Sequence, residues 1–278
     1  MTQLLLTPER RAQLVELLSN EQRLNVEYPQ VAEYLDTAAG LSGTGDDEAD
    51  RAFDFRMLHY LTGDESISAN PYWDIVAPSV RTEGGRRVVN NGRPQGSARL
   101  AYAVTVLQAS YAYAIPSPET IDWMAQFCAG RSVIELGAGR GYWAAQLSRA
   151  GLAVDSYDVE PPDRTDNASF RRVGGQVSVW RHIGDADEAR VRIQDSAESV
   201  LFLCWPPGWD DPMAMDVLTA FEEAGGSRLV YIGEPKGGKT ASDQFFDVLA
   251  SRWGLESVDN QFVSWWNLED TAQGWVRQ

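Results

Sequence analysis

Cysteine and histidine are scarce in this chain, and positive charge is outweighed. Of 278 residues two are cysteines, Cys128 and Cys204, and two are histidines, His59 and His182. Two cysteines close at most one disulfide; both lie in apolar stretches and read as buried thiols in a reducing compartment. The four residues match no metal-ligand spacing, so no zinc site is expected. Lys and Arg number 24 against 40 Asp and Glu, a formal net charge of −16 that repels phosphate backbones, which makes nucleic acid a poor first guess for a partner. No apolar run reaches the roughly 18 to 20 residues of a membrane helix. The N-terminus has no basic n-region ahead of a long apolar run, as a secretory signal would, so a cytoplasmic protein is the expectation. Hydrophobic residues at 44% and charged ones at 23% suit a globular chain with one large domain, or a core domain and a smaller one.

Glycine is concentrated at one corner. Val133, Ile134 and Leu136 read as a short buried strand, residues 137–141 as a tight turn, and residues 142–147 as the start of a helix. A backbone that turns sharply and comes close to a ligand needs glycines there, because a Cβ obstructs both. The dinucleotide fingerprint is G-x-G-x-x-G, whereas Gly137, Gly139 and Gly141 run G-x-G-x-G with Glu135 just before them. That spacing leads away from a nicotinamide dinucleotide. A second apolar run at Leu152, Ala153 and Val154 leads to Asp158, whose carboxylate at a strand end can accept both hydroxyls of a ribose.

Glu135-Leu-Gly-Ala-Gly-Arg-Gly141 resembles the first motif of class I S-adenosylmethionine (SAM) methyltransferases, and Asp158 stands where that family places its ribose-binding acid. The resemblance covers roughly residues 111–278. It implies SAM as cofactor, with S-adenosylhomocysteine (SAH) as product, on an α/β fold with a doubly wound, mostly parallel seven-stranded sheet. Implied cofactor contacts are Glu135, Gly137, Ala138, Gly139, Gly141, Tyr142, Trp143, Asp158 and Cys204, with Asp185 on the adenine amino group. In that family the segment before the first strand lids the site, which brings in Tyr111 and Tyr113.

Residues 1–110 read as an N-terminal helical cap and 111–278 as the core. Thr7 with Pro8 marks one helix start and Pro29 a second; Phe53, Phe55, Met57 and Leu61 make a third helix. Residues 40–50, with four acids, read as a solvated loop. Residues 81–99 carry Arg81, Arg86, Arg87, Arg93 and Arg99 and read either as an exposed loop pairing with acidic neighbours or as a segment closing over an anion. In the core, Val177-Ser-Val-Trp180 is expected as a third strand, residues 200–204 as a fourth and 229–232 as a fifth. Residues 262–266 and 274–277 are expected to pair as an antiparallel hairpin closing the sheet.

Ligands of open α/β sheets lie beyond the carboxyl ends of the strands. Cys204-Trp-Pro-Pro-Gly-Trp209 falls there and resembles the Asn/Asp/Ser-Pro-Pro-aromatic motif of amino-methylating enzymes, with Trp205 in place of the amide and Gly208 in place of the stacking ring. The order of these motifs also looks like that of a group of methyltransferase-like proteins with Trp-Pro-Pro after the fourth strand. Trp205, Pro206, Pro207 and Trp209 are expected to wall an acceptor pocket. Glu234, Trp205 and Tyr113 are the catalytic candidates, Glu234 as base or clamp, against a reading of Glu234 as a structural carboxylate bonded to backbone N–H groups. Gly233-Glu-Pro-Lys-Gly-Gly-Lys-Thr240 also fits the phosphate-binding pattern G-x-x-x-x-G-K-T, though only 38 residues follow it, too few for the rest of such a domain.

The function these features imply is SAM-dependent methyl transfer to the nitrogen or oxygen of a small molecule or peptide, as in specialised metabolism, by a monomer or homodimer. The alternatives are a nucleic-acid base methyltransferase, or a SAM- or NTP-binding regulator without catalysis.

Overall fold

The computed structural model describes residues 4, 6–64, 66–90 and 96–278. Residues 8–110, called the cap below, are mainly helical: α1 (Pro8–Ser19), α2 (Glu21–Glu27), α3 (Pro29–Gly40), α4 (Asp47–Leu61), α5 (Pro71–Val76), the strands β1 (Val80–Glu83) and β2 (Arg86–Val89), and α6 (Ala98–Ser110). The Thr7 hydroxyl accepts the Arg10 N–H at 3.1 Å, and prolines open α1, α3 and α5. Residues 40–50 are more than a solvated loop. Asp46 caps α4, accepting the N–H groups of Glu48 and Ala49, and Asp47 and Glu48 sit at the positive end of the helix dipole. Asp50 is buried and accepts both the backbone N–H and the hydroxyl of Thr44.

The basic segment is a β1–β2 hairpin followed by the start of α6, and its arginines bond within the chain. Arg81 donates to Asn90 O, Arg86 to Leu268 O, Arg87 pairs with Glu119 and Arg99 with Asp54; Arg93 lies outside the described residues.

The second half contains α7 (Pro118–Cys128), β3 (Val133–Leu136), α8 (Tyr142–Arg149), β4 (Val154–Tyr157), α9 (Ala186–Gln194), β5 (Val200–Cys204), α10 (Met213–Glu223), β6 (Arg228–Gly233), α11 (Asp243–Arg252), β7 (Trp253–Val258), β8 (Val263–Trp265) and β9 (Thr271–Arg277). Six strands form the central sheet in the order β4-β3-β5-β6-β9-β7, parallel except for β9. Alternation along β5 shows why helices cover both faces. Val200 and Phe202 pack with Met124, Trp143 and Leu147, while Leu201 and Leu203 pack with Leu218, Phe221 and Phe245 on the other side. An α/β, doubly wound, mostly parallel sheet is what the sequence led one to expect, with two corrections.

The first correction is the strand expected over residues 177–180, which does not form, so the sheet has six strands among the described residues instead of seven. The carbonyls of Val177 and Ser178 accept hydrogen bonds from the Arg140 guanidinium, and Trp180 N–H donates to Arg140 O. A strand on the β4 edge would need those same groups. Only a bridge between Tyr157 and Gly184 marks that edge.

The second correction concerns the closing hairpin. β9 pairs with β6 and β7, whereas Val263 to Trp265 joins the cap, running parallel to β2 in a small sheet of order β1-β2-β8. Trp265 explains the diversion: it is buried in the cap core, donating from its indole Nε1 to Tyr72 OH at 3.2 Å. Cap and core therefore share one hydrophobic cluster, in which Tyr72, Tyr111 and Leu107 meet Tyr142, Val263 and Trp265. The Tyr142 hydroxyl donates to Asn70 Oδ1 at 2.8 Å and accepts the Tyr72 N–H at 3.1 Å. Tyr142→Phe, which leaves that buried N–H without its acceptor, is expected to lower unfolding stability by about 1–3 kcal/mol, measured by urea denaturation.

Candidate functional site

The glycine corner lies at the carboxyl end of β3, between the ends of β4 and β5. Gly137, Gly139 and Gly141 have φ of +74°, +54° and +69°, a region that other residues enter at a penalty. Space is short as well: a Cβ on Gly139 would lie 2.4 Å from the ring of Phe170. Gly141 N-caps α8, and Asp158, directly after β4, accepts the Gly139 N–H on Oδ2 at 2.8 Å and the Glu160 N–H on Oδ1 at 3.0 Å. Each oxygen of Asp158 keeps acceptor capacity beyond those bonds. Its burial raises its pKa above the ordinary carboxylate value, with the two N–H groups working in the opposite direction.

A cavity of about 280 Å³ opens at this corner. Glu135, Trp143 and Asp158 border it from the core, Tyr113 from the segment before α7, and Cys204, Trp205 and Pro207 from the end of β5. Gly137 and Ala138 contribute backbone. A second, more open groove of about 520 Å³ shares Gly137, Asp158, Val159 and Met213 with the first and runs along α9 and α10. Asp158 thus stands between two compartments.

Tyr113 and Trp205 stack on each other at 5.5 Å and 12°, and Phe170 meets the Tyr113 ring edge-on at 5.9 Å. Glu135 is 2% exposed; its Oε2 has no hydrogen-bond partner although it borders the cavity. Burial pushes its pKa up to about 8, against a hydrogen bond from the Ala144 N–H, and the nearby Asp158 charge adds to the rise. The Cys204 thiol is likewise held well above its ordinary value by burial, then by Glu135.

Several expected site residues lie elsewhere. Asp185 is the N-cap of α9, its Oδ1 accepting the N–H groups of Asp187 and Glu188, and Glu188 returns a bond to its backbone N–H. That capping box engages the carboxylate, so Asp185 borders neither compartment. Tyr111 and Tyr142 are buried in the cluster shared by cap and core. Trp209 is 85% exposed at φ +51°, and the carbonyl of Pro206 is engaged by the Ala241 N–H at 3.1 Å.

Glu234 is buried inside its own loop. Oε2 accepts the Lys239 N–H at 2.7 Å, and Oε1 accepts the Glu269 N–H at 3.4 Å, with the Lys239 ammonium 3.8 Å away. Its carboxylate oxygens are thus turned to its own loop and to Glu269, and the residue does not border the cavity. The same loop departs from a phosphate-binding one. Glu234 places a carboxylate where an incoming anion would need the Lys239 N–H, and Thr240 bonds to Tyr231 OH and the Glu234 backbone. Helix α11 starts three residues beyond Thr240, capped by Ser242.

Four residues escaped the sequence reading. Asn167, Ser169 and Phe170 border the cavity from a segment without regular structure, which carries no periodic signal. Arg140, between the second and third glycines of the motif, is 1% exposed, and all five of its N–H donors are engaged. They go to the carbonyls of Ala109, Val177, Ser178 and Arg171 and to Gln176 Oε1. It pins the segment that carries Phe170.

No protein-family model matches the sequence, and no curated protein matches it. Solved structures do, and what is shared is an α/β fold; in this chain the glycine corner lies on a central strand and one strand of the sheet is reversed. Similar structures include magnesium protoporphyrin IX methyltransferase (ChlM) from Synechocystis PCC 6803 with bound SAM, at 14% identity over 58% of this chain and 79% of that one, TM-score 0.28. The mitomycin 7-O-methyltransferase MmcR matches at 15% identity over 82% of this chain and 73% of that one, TM-score 0.35. A third, solved in work on the conversion of a disulfide bond into a thioacetal group during echinomycin biosynthesis, matches at 15% identity over 59% and 82%, TM-score 0.32. At such identities and TM-scores the assignment of the site rests on the geometry above.

Among the described residues, no cluster of His, Cys, Asp and Glu is placed to hold a metal, and no helix is long and apolar enough to cross a membrane.

The buried Glu135 generates a pH dependence. Below pH 4.5, its ordinary pKa, the acid is protonated in folded and unfolded chains alike. Between 4.5 and about 8 the unfolded chain gains by ionising and the folded one does not, so this group removes stability as pH rises. Glu135→Gln is therefore expected to raise the melting temperature of the ligand-free protein at pH 7.5 and to leave it unchanged at pH 4.5, by calorimetric scans at both values.

Proposed function

We propose that this chain is a SAM-dependent methyltransferase acting on a small, flat acceptor. The observation that carries the reading is the pairing of a crowded, left-handed glycine turn with two acidic side chains that keep free acceptor capacity at its rim, Asp158 and the unpartnered Oε2 of Glu135. These residues fit the cofactor: Asp158 would hold the ribose hydroxyls, Glu135 would accept from the amino-acid end, and the glycines admit close approach of the chain. SAM, when bound, supplies an electrophilic sulfonium methyl group. This chain's own part is then to orient the acceptor and exclude water. Trp205 and Tyr113 present flat aromatic surface for the acceptor, and Phe170 covers the glycine turn.

Among the described residues the cavity lining has carboxylates and no Lys or Arg side chain, which favours a neutral or cationic acceptor over a phosphate or carboxylate. The same lining weighs against a polynucleotide. Engagement of the Pro206 carbonyl by Ala241 weighs further against the amide clamp that amino-methylating enzymes build from such a loop. With Glu234 bound to backbone N–H groups, the acceptor needs to be nucleophilic without a strong base; that observation also keeps a SAM-binding regulator as the second reading.

Calorimetric titration with SAM, SAH and Mg-ATP tests the cofactor. Binding of SAM or SAH in the micromolar range is expected, weakened by about 1.5–3 kcal/mol in Asp158→Ala through loss of a charged hydrogen bond. Binding of Mg-ATP alone would overturn the reading.

A further inference from the structure

The aromatic wall made by Trp205 depends on a residue outside the cavity. Trp205 has φ +54°, a left-handed conformation that is unfavourable for a bulky residue and persists only where its surroundings hold it. Three contacts do so. Its backbone N–H donates to Ile232 O at 2.7 Å, its indole Nε1–H donates to Asp270 Oδ2 at 3.0 Å, and Tyr113 stacks on one ring face. Asp270, directly before β9, is 2% exposed, and its other oxygen accepts the hydroxyl of Ser264. Ser264 is the middle residue of β8, the strand that pairs with β2 of the cap. A chain of contacts therefore runs from the cap sheet through Ser264 and Asp270 to the ring that borders the cavity.

We propose that Asp270 is a positioning residue: its carboxylate fixes the Trp205 indole as a wall of the acceptor side of the cavity and ties that wall to the cap sheet through Ser264. Only the word acceptor rests on the function proposed above; the positioning itself stands on the contacts. Removing the carboxylate would leave the indole held by stacking on Tyr113 and by apolar packing, without the directional bond that fixes the position of its Nε1.

The environment of Asp270 makes the role measurable. Burial raises its pKa to about 6, while Ser264 and Trp205 act in the opposite direction by donating to the carboxylate. The other ionisable groups facing it are Arg86 of β2, whose charge favours the anion, Glu234 beyond β6, whose charge opposes it, the Cys204 thiol, and the Tyr72 and Tyr231 phenols. Acidification through pH 6 converts the charge-assisted bond to Trp205 into a weaker neutral one.

The test uses the full chain labelled with 5-fluorotryptophan and free of ligand, with the Trp205 fluorine resonance identified by its loss in Trp205→Phe. Between pH 5 and 8 that resonance is expected to shift with one midpoint near 6. The shift should vanish in Asp270→Asn, which keeps an oxygen to accept from the indole. Ser264→Ala leaves the Trp205 bond intact and is expected to move the midpoint upward, since a donor to the carboxylate is lost; this variant decides the matter if Asp270→Asn does not fold. A Trp205 resonance that is flat over this range, or that titrates equally in Asp270→Asn, overturns the proposal. A wild-type protein that fails to bind SAH would refute the methyltransferase reading, and the fluorine titration would still decide the role of Asp270.

Discussion

The arrangement of the site depends on one buried cation that has no anion. Arg140 offers five N–H donors and meets five acceptors, four of them backbone carbonyls, so its charge is solvated by the chain's own dipoles instead of by a carboxylate. Burial lowers its pKa to about 10, still far above neutrality, so the charge persists. A planar fork that donates in five directions is what this position requires, and a lysine ammonium with three donors could not replace it. Through this one side chain, the end of α6, the glycine turn and the 171–178 segment are held in register. The missing edge strand follows from the same bonds, because carbonyls that face Arg140 cannot also face β4.

Two loops beyond the sheet hold each other in a comparable way. A Cβ on Gly208 would lie 2.3 Å from the carbonyl oxygen of Lys239, Pro207 bridges to Thr240, and Pro206 accepts from Ala241. The loop after β6 resembles an anion-binding turn in sequence and closes on its own carboxylate, Glu234, in space. Its resemblance to a nucleotide-binding loop is one of letters, since a phosphate would compete with a covalently attached anion already in place.

Much of this was legible in the sequence where the signal is local. The strands β3, β5 and β6, the proline-led helix starts, the glycine turn and Asp158 all follow from periodicity, capping residues and spacing within about 20 residues. What was not legible depends on partners far along the chain. Val177-Ser-Val-Trp180 has the composition of a strand, and nothing near it announces a guanidinium from residue 140. Asp185 reads as a binding acid or as a cap from the same letters, and only Glu188 three residues later hinted at the cap. Trp265 looks like part of a hairpin until its indole is seen bonded to Tyr72, and the acids at 46–50 look solvated until Thr44 is seen folded back onto Asp50.

The pairing of β2 with β8 has a consequence for the order in which the molecule can form. The central strand of the cap sheet lies near residue 88, but its outer partner is made some 175 residues later during synthesis, and the Tyr72 to Trp265 bond spans a separation of 193. A growing chain can wind the cap helices early, since their contacts are short-range, yet it cannot close the cap core until almost the whole core domain has emerged. Loop closure over such distances is slow. The β2–β8 pairing and the Tyr72 to Trp265 bond can therefore close only once β8 is present.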